Sequence, residues 1–447
     1  MNALASMLLD LGWSVTGSDS QPSARLAQSF RQRGVSIHQG HDALHLPPRT
    51  DVLVYSAAIP ANNPEREAAR RRNTPEMTYS QMLGDLMRSR TGICIAGTHG
   101  KSTTAAMVAT ILLESGRDPS VCIGAELCEL DKSGWAGAGE LFVVESCEYR
   151  RSFLDLSPTC AAMLSVEPDH FDCFREFAET CEAFRQFAAR VLPTGFLVVQ
   201  GDCAATVAAA RGTSARVETF SLAAGADWQA SELRPTPEGV RFSAYHCGDF
   251  FSEFLLRVPG RHNVLNALAA IAVCHHLGVP SADLATSLAR FRGVRRRFEP
   301  MGTWRGVTLL DDYAHHPTEV EATLTAARER FGRRRLWCVF QPHQISRTRA
   351  LFHEFAESLA LADELLIAPV YAARETSDAN VDFLAKKLAL SIAAAGGHAR
   401  FCPDLDRIMA TLEDEARPGD VVMTMGAGDI DRVHHEFNRR LQRNRAS

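Results

Sequence analysis

A lysine followed by a hydroxyl residue, Lys101-Ser102, sits where a glycine turn passes from a short apolar run into a helical one. Ile93, Cys94, Ile95 and Ala96 supply the run, and Gly97, Thr98, His99 and Gly100 the turn. Thr103 and Thr104 follow, and Ala105, Ala106, Val108, Ala109, Leu112 and Leu113 give the helix a buried face. Such a turn lets backbone N–H groups close around phosphate oxygens, and the helix N-terminus adds a favourable partial charge. Lys101 then reaches the terminal phosphates of a nucleotide, and Ser102 ligates Mg²⁺. The general phosphate-loop pattern asks for another glycine where this chain has Ile95, so the motif is matched in part. A glycine turn before an ordinary helix is the competing account.

Other residues could serve the same chemistry. Glu145 ends the apolar run from Leu141, and ligands collect at the carboxyl ends of parallel strands. Mg²⁺ takes hard oxygen donors beside phosphates, so Glu145 is either a metal ligand or a solvated strand-end acid. Asn263 and Asn266 carry amides able to read both the donor and acceptor edges of adenine, or else to cap and pack their helix. In the run Arg295-Arg296-Arg297 a planar guanidinium can grip two phosphate oxygens, and Arg296 is taken ahead of Arg297.

These residues need elements to position them. With 447 residues, 46% of them apolar, the chain has material for two to four domains. Strands and helices alternate, which predicts an α/β fold. We expect an incomplete Rossmann-like domain at 1–88, a central P-loop ATPase-like domain at 89–299, and an open Rossmann-like α/β domain at 300–447. Helices are expected at Asn2–Leu11, Phe171–Ala189 and Val264–Leu277, and strands at Trp13–Asp19, Asp51–Ala57 and Cys160–Val166. The third domain should carry strands at Val307–Leu310, Leu336–Phe340, Glu364–Ala368 and Val421–Met425. Its helices should lie near Thr318–Arg330, Thr348–Leu361, Val381–Ala395 and Ile430–Leu441, with His434 and His435 exposed on the last.

The net charge of −5 gives no global attraction to nucleic acid. Twelve cysteines are present without a Cys-x-x-Cys pair, and neither a signal peptide nor an apolar membrane span is visible. A cytoplasmic protein with reduced thiols and no stable membrane insertion is expected, as a monomer or weak homodimer. Cys94, Cys160 and Cys274 lie in apolar runs and should be core.

The turn from Ala96 to Thr104 resembles the ATP loop of the Mur peptide ligases. Gly260-Arg261-His262-Asn263 resembles their central-domain helix entry. The strings from Leu310 to Val320 and from Val339 to Arg349 resemble the members that join L-alanine to UDP-N-acetylmuramate. The likeness runs in order over nearly the whole chain. It implies an ATP-dependent ligase that makes an amide between L-alanine and the lactyl carboxylate through an acyl phosphate. A related ligase adding a ready-made peptide, and a non-catalytic nucleotide-binding descendant, are the alternatives.

The resemblance also implies roles. Gly97, Thr98, His99, Gly100, Lys101, Ser102 and Thr103 would bind ATP, with Asn263 and Asn266 at the base. Arg296, Asp312 and His316 would contact the nucleotide as well. Ser102, Glu145 and His170 would hold Mg²⁺, with Asp169 ordering the loop. His343 and Arg347 would serve alanine, Arg347 by a bidentate pair with its carboxylate. Lys101, Glu145, His170, His343 and Arg347 are the expected catalytic set. The chain departs from the family's pattern at Cys147, where an Asp is usual and which leaves Glu148 less defined, and at Ser165, Gln344 and Ser133–Gly137. Ser56, Ala57, Ile59 and Pro60 resemble the loop at the uracil end, and Asp19 a ribose-binding acid. The family places a strand and a glycine-rich turn before the residues that match Met1-Asn2-Ala3, and we expect an upstream reading frame to encode them.

Overall fold

The structure, a computed structural model, describes residues 1–373, 375 and 381–446. Ser447, the end of the third expected domain, lies outside the described residues. Thr91–Ala96 is the strand from which the phosphate turn leaves, buried from its second residue onward. It pairs in parallel with Leu141–Glu145 on one side and Cys160–Met163 on the other. Three strands running the same way deliver their following loops to one edge, so Gly97, Ser146 and Leu164 emerge together.

This sheet has ten strands among the described residues. Beyond Cys160–Met163 come Phe196–Gln200 and Arg216–Ser221, then an antiparallel meander of Trp228–Thr236, Gly239–His246 and Asp249–Leu256. Ser120–Leu127 and Lys132–Trp135 close the other end. Helices Lys101–Glu114 and Arg261–His276 lie together on one face, and both are apolar nearly all round because both are covered. The other face carries Phe153, Phe184 and Phe187, fully buried and worth roughly 1.5–3 kcal/mol each. Cys94, Cys160 and Cys274 are buried in these cores.

The N-terminal residues form two separate pairs of parallel strands, Thr16–Asp19 with Ser36–Gln39 and Leu53–Tyr55 with Glu76–Thr78. The helix Asn2–Asp10 packs elsewhere: Ala3, Leu4, Met7 and Leu8 share a core with Met82, Cys94 and Phe142. Gly134 permits that approach, since a Cβ there would stand 2.3 Å from the Ala3 carbonyl oxygen.

The third sheet orders its strands Glu299–Trp304, Val307–Asp312, Val421–Met425, Leu336–Phe340, Glu364–Ile367 and Ala399–Phe401. Among the described residues only Glu299–Trp304 runs antiparallel to its neighbour in this sheet.

Several expectations shift. The helix expected from Phe171 begins at Phe177, because the chain first turns under His170, whose carbonyl accepts from the N–H groups of Cys173 and Phe174. The expected helix Thr348–Leu361 is two, Ile345–Ala350 and Phe352–Leu359. His434 is buried, not exposed, and its Nε2 lies 2.7 Å from Thr424 Oγ1. Among the described residues no helix is long and apolar enough to cross a membrane.

Candidate active site between the middle and third domains

The phosphate turn is held from behind by residue 165. The Thr98 N–H donates to the Ser165 carbonyl at 2.7 Å, and the His99 N–H donates to Ser165 Oγ at 3.1 Å. Gly100 has φ 80°, and a Cβ there would meet Asn266 Oδ1 at 2.3 Å, so backbone and asparagine approach as only glycine allows.

Lys101 donates to the carbonyls of Gly97 at 2.5 Å and Thr98 at 3.0 Å, and to both Glu148 oxygens at 3.0 and 3.2 Å. Burial alone would lower its pKa, but the Glu148 charge prevails and raises it. Glu148 is almost wholly buried, and His170 Nε2 lies 3.4 Å from its Oε1. Glu145 turns back to its own sheet and accepts the Gly124 N–H at 2.6 Å, while Glu148 stands beside His170 and Lys101.

A cavity of about 220 Å³ opens beside the turn. His99, Gly100, Ser102 and Thr103 form its phosphate side, and His262, Asn263 and Asn266 its far wall. Asn263 Nδ2 donates to the Pro259 carbonyl and Asn266 Nδ2 to Asn263 Oδ1, so both amides also order the helix start. The third domain closes the space with Arg297, Asp312, Thr318 and Glu319. Asp312 accepts the N–H groups of Phe298 and Ala314, and burial pushes its carboxyl up to about 6.

Arg296, preferred from sequence, is not part of this wall. Its guanidinium pairs with Asp311 at 2.9 Å and donates to the carbonyls of Gly428 and Gly426, clamping the third domain to its linker. Arg297 lines the cavity instead, 3.6 Å from Glu319. His316 also stands behind the wall: it caps the helix Pro317–Phe331 and lies against His99, ring centres 4.6 Å apart.

His99 joins the two domains. Its Nδ1 is 3.2 Å from Glu319 Oε1 and its Nε2 3.4 Å from Glu167 Oε2. Burial opposes its charge, yet these carboxylates raise it to about 9. Arg347, 2% exposed, spans the same seam. Its Nε and Nη2 point at Asp169 Oδ1, and Nη1 donates to the His343 carbonyl at 3.1 Å. The carboxylate partner expected from alanine is thus a protein carboxylate here, since a buried guanidinium has to be matched.

Glu148, Glu167, Glu319, Arg297 and His262 were missed or underrated from sequence. Glu167 and Glu319 sit inside motifs already noted, next to Asp169-His170 and His315-His316, and that adjacency was the available signal.

Three family models cover the chain in order: Mur ligase family, catalytic domain, over residues 1–91; Mur ligase middle domain over 95–274; and Mur ligase, glutamate ligase domain, over 296–428. A UDP-N-acetylmuramate--L-alanine ligase of Caldanaerobacter subterraneus subsp. tengcongensis is 38% identical over 439 residues, 98% of this chain and 94% of that one. The solved UDP-N-acetylmuramate-alanine ligase MurC from Thermotoga maritima superposes with a TM-score of 0.84 at 26% identity, covering 99% of this chain and 97% of that one. A murein peptide ligase from Psychrobacter arcticus gives 0.76 at 25% identity, covering 98% and 96%. With a phosphate turn, a buried acid-histidine pair and a third α/β domain closing over them, the chain belongs to the Mur ligase family.

Proposed function

We propose that this chain uses ATP to join L-alanine to the lactyl carboxylate of UDP-N-acetylmuramate, in peptidoglycan precursor synthesis. The observation that carries this is one cavity walled by the phosphate turn of the middle domain and by Arg297, Asp312 and Glu319 of the third. A carboxylate is a poor electrophile, so its oxygen must first take the γ-phosphoryl group. The alanine amine then attacks the acyl carbon of the acyl phosphate, and phosphate leaves.

Lys101, moved off Glu148, neutralises charge spread over the transferring phosphoryl group. Ser102, Glu148 and His170 would hold Mg²⁺, with Glu145 on the same edge. The serine and carboxylate oxygens fit a hard cation, and His170 adds a less favoured nitrogen. When bound, Mg²⁺ supplies positive charge beside the phosphates. Asn263 and Asn266 take the base, Arg297 a phosphate, and His343 with Arg347, once the guanidinium is drawn off Asp169, the alanine carboxylate. Closure of the third domain over the turn excludes water that would hydrolyse the activated acyl group. We read the protein as cytoplasmic, acting without nucleic acid as a monomer or weak homodimer.

Phosphate release from ATP tests this. It should require UDP-N-acetylmuramate and L-alanine together. Release with an alanine-first peptide in place of alanine would favour a muropeptide ligase, and no release with either would favour a non-catalytic protein.

A further inference from the structure

Arg296 clamps the third domain and Arg297 lines the cavity, which leaves the first of the three consecutive arginines without a role. Arg295 Nη2 stands 2.7 Å from Asp131 Oδ1, and its Nη1 2.5 Å from Glu299 Oε1. Asp131 lies in the hairpin turn between the middle-domain strands Ser120–Leu127 and Lys132–Trp135. The backbone laces that hairpin to the same linker. Leu127 bridges Val294, the Cys128 N–H donates to the Gly293 carbonyl, and the Arg295 N–H donates to the Glu126 carbonyl.

Arg25 reaches the hairpin from the other side. Its Nη2 is 3.0 Å from Glu126 Oε2 and 3.5 Å from the same Asp131 Oδ1. Arg25 belongs to the helix Ala24–Gln32, which follows the strand Thr16–Asp19, whose last residue resembles a ribose-binding acid. One carboxylate oxygen therefore holds an arginine of the N-terminal domain and an arginine of the linker, two residues before Arg297. Exposed ion pairs contribute little stability. With the Asp131 and Arg25 side chains more than half exposed, what these pairs set is position.

We propose that Asp131 is a positioning residue that ties the seating of the first domain to the linker carrying Arg297, so that a nucleotide sugar on the first domain and ATP at the phosphate turn favour each other's binding. This rests on the function proposed above, which supplies both ligands. A ligand on the first domain fixes the helix Ala24–Gln32, and with it Arg25. Arg25 and Arg295 then hold Asp131 from two sides, the linker stays against the hairpin, and Arg297 stays in the cavity wall. Coupling of this kind is reciprocal, so ATP acts on the sugar nucleotide by the same factor.

The test is calorimetry on the full chain with Mg²⁺ and the non-hydrolysable ATP analogue AMP-PNP, with and without saturating UDP-N-acetylmuramate. The sugar nucleotide should tighten AMP-PNP binding in wild type. Asp131→Asn, which removes the charge and keeps the shape, should cut that gain by about fivefold, the low end of such couplings. It should leave the affinity for each ligand alone near wild type. Arg25→Ala should lose the gain equally, and the double variant should lose no more than either single, since the two residues act in one chain. Arg25→Lys should keep the gain, because one nitrogen makes both of the Arg25 contacts. Arg71→Ala, on the same domain but paired with Glu67 of its own helix, should also keep it. A gain undiminished in Asp131→Asn or in Arg25→Ala, or diminished as much in Arg71→Ala, would overturn the inference and leave the function standing. Failure of UDP-N-acetylmuramate to bind wild type would instead sink the function, and this coupling with it.

Discussion

Arg347 points two of its guanidinium nitrogens, Nε at 2.8 Å and Nη2 at 2.7 Å, at a single oxygen of Asp169 across the seam between the middle and third domains. Both residues are buried, and the arginine's charge holds the Asp169 carboxyl far below the usual carboxylate range against the opposing effect of burial. Asp169→Asn would leave the guanidinium buried and unmatched, at a cost of about 3–5 kcal/mol. Urea unfolding should show that loss, and Arg347→Met in the same chain should recover much of it. A loss in the double variant equal to the sum of the single losses would refute the coupling.

Lys101 donates to Glu148 and to two loop carbonyls, so its side chain is held by charge and not by core packing. Lys101→Ala should keep the circular dichroism of the wild type, with a lower melting temperature because the buried Glu148 loses its lysine. Turnover should fall by at least roughly 100-fold. A purified variant with near wild-type turnover would remove the assigned role.

What was legible in the chain was what is local in it. Lys101, Ser102 and the glycines are neighbours in sequence, so the turn could be read directly, as could the strands Leu336–Phe340 and Val421–Met425. That Arg297 lines the cavity and Arg296 does not follows from the capture of Arg296 by Asp311 and the carbonyls of Gly426 and Gly428, contacts 15 to 132 residues apart. Glu148 and Glu145 are separated the same way, because the capture of Glu145 by Gly124 depends on which strand lies alongside. His434 reads as a surface helix residue until the strand carrying Thr424 is packed beneath it.

His99 sets a pH response. Its folded pKa of about 9 lies above the unfolded value of 6.5, so its stabilising contribution is complete below pH 6.5 and is lost as pH rises through about 9. Its partners stay ionised over that window. Burial works against both carboxylates, but His99 brings Glu167 down to about 2, and the charges of His315, Arg297 and His99 hold Glu319 well below normal. Unfolding free energy should drop between pH 7 and 10 by on the order of 2 kcal/mol in wild type. His99→Gln should be less stable at pH 7 and flatter over the interval; an equal slope in the two proteins would dismiss the histidine as the source.

Gly100 offers a test of the nucleotide pocket. Alanine there is strained by the positive φ and drives its methyl into Asn266 Oδ1. ATP affinity, measured by calorimetry, should fall about tenfold, since the methyl pushes Asn266 out of its place in the cavity wall and 1.4 kcal/mol suffices for that factor. Gly116→Ala shares the positive φ but meets open space, so it should lose stability and keep ATP affinity. Equal ATP affinity in both variants would argue against contact between this turn and the nucleotide.

The helix Asn2–Asp10 is built into the middle domain's core, and of the strands that follow it Leu53–Tyr55 and Glu76–Thr78 touch that core through Val54 and Met77. The small strand pairs between Thr16 and Thr78 are therefore moored to the middle domain at both ends, through Leu11–Val15 and where Thr78 starts the helix Tyr79–Met87, and also between them, where Arg25 pairs with Glu126 and Arg150 donates to the Ala57 carbonyl. A body moored at so many points is seated like a stone in its setting and not hung like a door. The loop at Ser56–Pro60 is thereby presented to the middle domain at one fixed place.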